Sequence, residues 1–189
     1  MRRWAALALL GAVLLAGCDS PTPDTDAQVD GPFAECGAVM TQTAAPAGDL
    51  PDLTLPCFHG GMSVRLSQLK GPAVVNLWAS WCQPCVQELP AFGKLAAKAD
   101  TGVTVLGVVT GDKRASAASL AEELGITFPM LFDERSRLSA ALVKEQRASA
   151  ALPATLLVAD GRIVFLYQGP ALDEATLDQL IDRHLGIKL

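Results

Sequence analysis

Cys82 and Cys85 stand two residues apart in Trp81-Cys82-Gln83-Pro84-Cys85. Thiols at that spacing close a disulfide only where the backbone turns sharply, as it does at the start of a helix. There the unpaired N–H groups and the helix dipole stabilise a Cys82 thiolate. The thiolate is the form that attacks disulfides and binds soft metals. The pair follows an apolar run, Pro72–Leu77, and precedes a helical pattern. In that strand–turn–helix setting C-x-x-C reads as a redox-active dithiol.

Three further cysteines need an assignment. Cys18 ends the string Leu15-Ala16-Gly17-Cys18, behind Arg2, Arg3 and an apolar core from Ala5 to Ala16. Residues 1–17 therefore read as a signal peptide, its core too short to span a bilayer. The string resembles the lipobox of bacterial lipoproteins, in which cleavage falls before the cysteine and lipid is attached to it. That resemblance implies a mature chain of 172 residues (189 minus 17) outside the cytoplasm, lipid-anchored on the outer face of the cytoplasmic membrane. An ordinary secretory signal is the alternative. Cys36 and Cys57 remain. Pairing them with each other leaves the dithiol free to work, and such a bridge contributes about 3 kcal/mol by restricting the unfolded chain. A second redox or metal-binding pair is the alternative, although neither cysteine has the short ligand spacing of a zinc site.

Residues 18–48 are rich in Pro, Ala, Thr and Asp and read as the lipidated cysteine with a flexible tether, at least over the first half. Residues 49–189 are the length of one domain. A net charge of −5 argues against nucleic-acid partners, which want a basic face. No apolar stretch beyond the leader reaches transmembrane length.

The elements that must position the dithiol follow from pattern. Leu53–Leu55 and Met62–Leu66 flank His59-Gly60-Gly61 as a hairpin. Ala73–Ala79 is an apolar strand interrupted only by Asn76, which suits burial on both faces. Cys85–Ala99 is a helix with Pro90 inside, where a kink is predicted. Val103–Val109 is a second buried strand, and Ala115–Leu124 a helix stopped by Gly125. Pro129–Phe132 is extended and Arg137–Lys144 helical, an added segment. Asp133, Glu134, Arg135 and Arg137 read as a solvated turn. Ala154–Ala159 and Arg162–Gln168 join through Asp160-Gly161, a hairpin signal. Leu172–Leu185 is a helix capped by Asp173 and stopped by Gly186. The sum is an α/β fold with a central mixed β-sheet, helices on both faces, an N-terminal β-hairpin and an inserted helical segment. His59 and His184 fall in no partner pattern.

Several strings now occur in a specific order: Leu66-Ser67, Leu69-Lys70-Gly71, Val75-Asn76-Leu77-Trp78-Ala79-Ser80-Trp81-Cys82-Gln83-Pro84-Cys85, Glu88-Leu89-Pro90 and Leu152-Pro153-Ala154-Thr155. In this the chain resembles the TlpA/ResA family of membrane-anchored, thioredoxin-like thiol–disulfide oxidoreductases, from about Asp49 to the C-terminus. The resemblance implies that Cys82 is the exposed attacking thiol and Cys85 the resolving one. It implies that Pro153 is the family's cis-proline, seated against the dithiol, with Trp81 at the rim and the Leu152 backbone receiving a client peptide. Glu88 lies one turn beyond Cys85 on the same side of the helix and matches an acidic residue of the family. Buried there, it could raise the thiol pKa or take a proton from Cys85. Thioredoxins themselves carry a buried Asp where this chain has Asn76, which cannot titrate.

The function so implied is reduction of disulfides in exported client proteins, of the cytochrome c maturation type, with a membrane thiol carrier as electron donor and no cofactor beyond the dithiol. Three alternatives stand. An oxidase or isomerase for secreted proteins differs only in redox poise. A thiol peroxidase of the redoxin or AhpC/TSA type wants a Thr or Ser two or three residues before its cysteine and an Arg close by; Ser80 precedes Cys82, but the C-x-x-C string is not that pattern. A copper-binding lipoprotein would use the soft thiolates, yet no His stands in a matching motif, so no metal site is expected.

Overall fold

The computed structural model describes residues 29–40, 48–69, 71–98 and 100–189. The signal peptide, Cys18, and the parts of the tether at 18–28 and 41–47 lie outside the described residues.

Residues 29–40, placed in the tether by composition, pack onto the domain instead. They end in a short helix, α1 (Gly37–Met40). The reason is apolar spacing: Phe33, Cys36 and Val39 recur every third residue and all three are buried. Phe33 meets Phe58 edge-on at 4.7 Å, and Ala34 N–H donates to the Thr127 carbonyl at 2.7 Å. Arg114 locks the arrangement. Its guanidinium lies over the Phe58 and Phe132 rings and donates to the carbonyls of Val29 and Phe58. Cys36 and Cys57 are joined in a disulfide with Cα atoms 6.1 Å apart.

The hairpin is β1 (Thr54–Pro56) with β2 (Ser63–Arg65), antiparallel and closed through Gly60 and Gly61, both at positive φ. The main sheet holds β3 (Ala73–Trp78), β4 (Thr104–Thr110), β5 (Met130–Asp133), β6 (Ala154–Ala159) and β7 (Arg162–Tyr167), in the order β5-β4-β3-β6-β7. β3, β4 and β5 run parallel; β6 and β7 are antiparallel to their neighbours. The expected mixed sheet is therefore observed, with Pro129–Phe132 recruited as its edge strand.

Every residue of β3 is buried, because both faces are covered. On one face Val74 and Trp78 pack beneath α2 (Gln83–Ala97), α3 (Arg114–Leu124) and α5 (Glu174–Leu185). On the other, Val75 and Leu77 meet α4 (Arg137–Lys144), the hairpin and α1. Right-handed crossovers from β3 to β4 and from β4 to β5 put α2 and α3 on the same side. Gly107 has a packing reason: a Cβ there would overlap Met130 Sδ, which crosses β4 to accept from Trp78 Nε1 at 3.3 Å.

Helix ends follow their sequence signals. Gly125 and Gly186 close α3 and α5 in the left-handed conformation, and Asp173 caps α5 by accepting from Thr176 N–H at 2.8 Å. α2 continues through Pro90 to Ala97. Asp133 departs from expectation. Rather than standing in a solvated turn it is 1% exposed and accepts from the N–H groups of Arg137 and Leu138 at 2.9 and 2.8 Å, satisfying the first turn of α4. His184 also has a partner, stacking on Phe165 at 3.9 Å.

Candidate active site

The chain leaves β3 at Trp78 and enters α2 at Gln83, so the intervening turn must bring Cys82 to the helix N-terminus. Cys82 is the N-cap, in extended conformation, and Pro84 occupies the first turn, where a missing N–H costs nothing. Cys82 Sγ accepts from Cys85 N–H at 3.3 Å. A sulfur at this position faces the positive end of the helix, the setting that favours thiolate over thiol. Cys82 and Cys85 are bonded to each other, with Cα atoms 5.2 Å apart. Cys82 is 5% exposed and Cys85 is fully buried, so Cys82 is the sulfur a client can reach. It is less open than the resemblance implied.

The turn is held from the neighbouring strand. Asp112, just past β4, accepts from Ser80 N–H at 2.6 Å and from the Ser80 hydroxyl at 3.1 Å. Trp81 donates from its indole to the Gly111 carbonyl at 3.1 Å and leaves 65% of its surface in solvent beside the dithiol. Asp112 carried no sequence signal beyond following a glycine at a strand end.

Pro153 follows a cis peptide bond from Leu152. It directly precedes β6, whose Ala154 pairs with Leu77 near the end of β3. The antiparallel register therefore sets Leu152 and Pro153 at the same end of the sheet as the dithiol turn. A second cis bond, Gly71–Pro72, opens β3 and was not expected.

Glu88 is fully buried on α2. Its Oε1 accepts from Asn76 Nδ2 at 2.6 Å, and its Oε2 accepts from Leu172 N–H, just ahead of α5, at 3.1 Å. Burial pushes its pKa from 4.5 up to about 7, against the pull of these two hydrogen bonds. A carboxyl poised there can take or give a proton near neutral pH. Asn76, noted from the sequence as unable to titrate, is thus the carboxyl's partner. The Leu172 N–H had no sequence signal. Among the described residues no group of three or more His, Cys, Asp or Glu is arranged to hold a metal ion.

A profile of the AhpC/TSA family matches residues 46–166. The thiol-disulfide oxidoreductase ResA of Geobacillus kaustophilus is 31% identical over 156 residues, spanning 81% of this chain and 80% of the relative. The ResA of Bacillus subtilis is 27% identical over 143 residues, 74% of this chain and 76% of its own. Among solved structures, a candidate thiol:disulfide interchange protein DsbE from Chlorobium tepidum superposes with a TM-score of 0.60 at 25% identity, over 76% of this chain and all of that one. The fold is thioredoxin-like, and the chain belongs to the AhpC/TSA family as a thiol–disulfide oxidoreductase of the TlpA/ResA-like group.

Proposed function

We propose that this oxidoreductase works in the reducing direction outside the cytoplasm, with Cys82 attacking, Cys85 resolving and Glu88 carrying the proton. The observation that carries the reading is a helix-capping dithiol with one buried carboxyl a single turn beyond Cys85 on the same helix, its pKa raised to about 7. In the reduced enzyme the Cys82 thiolate attacks one sulfur of a client disulfide. A mixed disulfide forms and the other client sulfur leaves as a thiolate. Cys85 then loses its proton to Glu88 and attacks Cys82 Sγ. The Cys82–Cys85 bond forms, the second client thiolate leaves, and two electrons have passed to the client. Trp81 and the backbone at Leu152, beside Pro153, receive the client peptide.

The client is an exported protein whose cysteines must be reduced before use, an apocytochrome c in the family's pattern. A membrane thiol carrier re-reduces the dithiol. Cys18 takes the lipid and holds the domain on the outer face of the cytoplasmic membrane. The leader with its Leu15-Ala16-Gly17-Cys18 string supports this placement. Among the described residues no helix is long and apolar enough to cross a membrane. Cys36–Cys57 is structural, both sulfurs lying in the core.

Cys85→Ser tests the mechanism. Mixed with a disulfide-bonded client such as insulin, it accumulates a covalent adduct through Cys82 on a non-reducing gel, whereas the wild type turns over and Cys82→Ser forms none. Fast peroxide consumption by the dithiol without insulin reduction would overturn the reading in favour of a peroxidase. A reduction potential near about −270 mV supports the reducing direction, and one near about −120 mV reverses it.

A further inference from the structure

Two buried polar atoms on the β3–β6 pair, one of them in the side chain that serves Glu88, have no hydrogen-bond partner among the described residues. One is Asn76 Oδ1, at the far end of the amide that serves Glu88; the other is the Thr155 hydroxyl. Asn76 is wholly buried and Thr155 is 1% exposed. They are not independent orphans. Asn76 on β3 and Thr155 on β6 are directly opposed in the antiparallel register. Directly opposed side chains share a sheet face, with Cβ atoms about 4.5–5.5 Å apart. That face is the one beneath α2 and α5, since Glu88 of α2 meets Asn76 there. One hydrogen bond, by rotation of the hydroxyl or through one water, spans such a gap.

We infer that Thr155 and Asn76 form a reversible hydrogen-bond relay that satisfies the Glu88 carboxyl in both of its protonation states. Thr155 is thereby a positioning residue for the thiol exchange. When Glu88 is charged, Asn76 Nδ2 donates to Oε1, as observed, and the Thr155 hydroxyl donates to Asn76 Oδ1. When Glu88 has taken the proton from Cys85, its O–H must donate, and an amide NH₂ cannot receive it. A half-turn of the Asn76 amide exchanges its two ends. Oδ1 now accepts from Glu88, and Nδ2 donates to the Thr155 hydroxyl. The arrangement needs an amide in the middle and a hydroxyl at the end, because only a hydroxyl both donates and accepts. An Asp at position 76 could not reverse in this way, and a Val at 155 could serve neither state.

The charged and titratable side chains on the elements around Glu88 lie at the surface. Lys94 and Lys98 of α2 pair with Glu174 and Asp178 of α5, Asp173 caps α5, Asp182 and Arg183 of α5 are exposed, and His184 stacks on Phe165. Arg162 lies at the exposed start of β7. Cys85, one turn before Glu88, is the titratable group the relay serves. The relay deepens the thiol-exchange reading and rests on it for its catalytic meaning. Its test uses oxidised protein without client, so its failure leaves the exchange reading untouched.

The test follows the Glu88 side-chain carboxyl carbon by NMR across pH in wild type, Thr155→Val and Thr155→Ser. Without the hydroxyl, the neutral state leaves an Asn76 N–H unpaired, and the charged state leaves only a carbonyl unpaired. Proteins tolerate the second better than the first. The Glu88 midpoint therefore falls in Thr155→Val by about one pH unit, about a tenfold loss of proton affinity, while Thr155→Ser keeps the wild-type midpoint. In the wild type, which needs no variant to fold, the Asn76 NH₂ protons show NOEs to the Glu88 methylenes above the midpoint and to the Thr155 methyl below it. An unchanged midpoint in Thr155→Val, or an NH₂ that keeps its Glu88 NOEs on both sides, overturns the relay.

Discussion

Replacing Glu88 by Gln removes a titration that the fold makes costly. The unfolded chain holds this carboxyl at its ordinary value of 4.5, whereas the folded protein holds it at about 7. A folded-state pKa above the unfolded one means that the native state binds the proton more tightly. The associated stability is complete below pH 4.5 and is lost as pH rises through 7. At about 1.4 kcal/mol per pH unit the loss is about 3 kcal/mol, an appreciable share of the roughly 5–15 kcal/mol typical of a whole domain. The amide of Glu88→Gln keeps the shape of the carboxyl and cannot ionise. It introduces its own offset, since its NH₂ faces either the Leu172 N–H or an Asn76 amide that must turn to present Oδ1, but that offset does not vary with pH.

The measurement is urea unfolding of oxidised wild type and Glu88→Gln between about pH 4 and 8.5, followed by circular dichroism. The stability of Glu88→Gln relative to wild type rises by about 3 kcal/mol between pH 4.5 and about pH 7 and is flat on either side. Subtraction removes every other titrating group common to both proteins. A difference curve without that rise would mean that Glu88 ionises freely inside the fold, and the role assigned to its burial would fail. In the reduced enzyme the same variant slows release of the mixed disulfide at neutral pH, because Cys85 loses its proton acceptor.

Two further perturbations concern the N-terminal segment. Cys57→Ser opens a link between residues 21 apart in sequence and lowers stability by about 3 kcal/mol in denaturant titration, with the dithiol exchange rate retained. Phe33→Ala, which strips the ring from the edge-on contact with Phe58, costs about 3 kcal/mol and exposes residues 29–40 to limited proteolysis; a loss near zero would return that segment to the tether.

Periodicity and local motifs made much of this molecule legible. The unbroken apolar runs of β3 and β4 announced strands covered on both faces. Asp160-Gly161 announced the β6–β7 hairpin, and the caps at Asp173, Gly125 and Gly186 are local chemistry. The dithiol was legible because its function needs only four consecutive residues and a helix start. What was not legible depends on residues distant in sequence. Glu88 could be placed beside Cys85 by helical spacing, but its burial depends on an N–H donated 84 residues later. Asp133 stands beside Glu134 and Arg135 and shares their composition, yet it ends a strand whose side chain points at the start of α4. Phe33, Cys36 and Val39 are diluted among Pro, Ala and Asp, and it takes the folded domain, with Phe58 against Phe33 and Cys57 against Cys36, to give them something to pack on. Asp112 resembles any loop aspartate until the turn at Ser80 folds against it.

The identity of residue 76 follows from the carboxyl on the helix. Thioredoxins place their buried acid on the central strand; here the acid stands on α2, and its oxygen lies 2.6 Å from the side chain of the strand residue. Two carboxylates at that separation could not both ionise, and one would be forced to remain neutral through the whole working range. With Asn on the strand there is one titration and one carboxyl, the one that the proposed mechanism assigns to the Cys85 proton. A hydrophobic residue at 76 would also avoid the conflict, but it would leave Oε1 without a donor and push the Glu88 pKa further up, away from the carboxylate that could accept a proton. Asn is the side chain that supplies a donor while adding no charge. Residues 76 and 88 are therefore one functional unit divided between strand and helix, and neither can be exchanged without changing what the other must be.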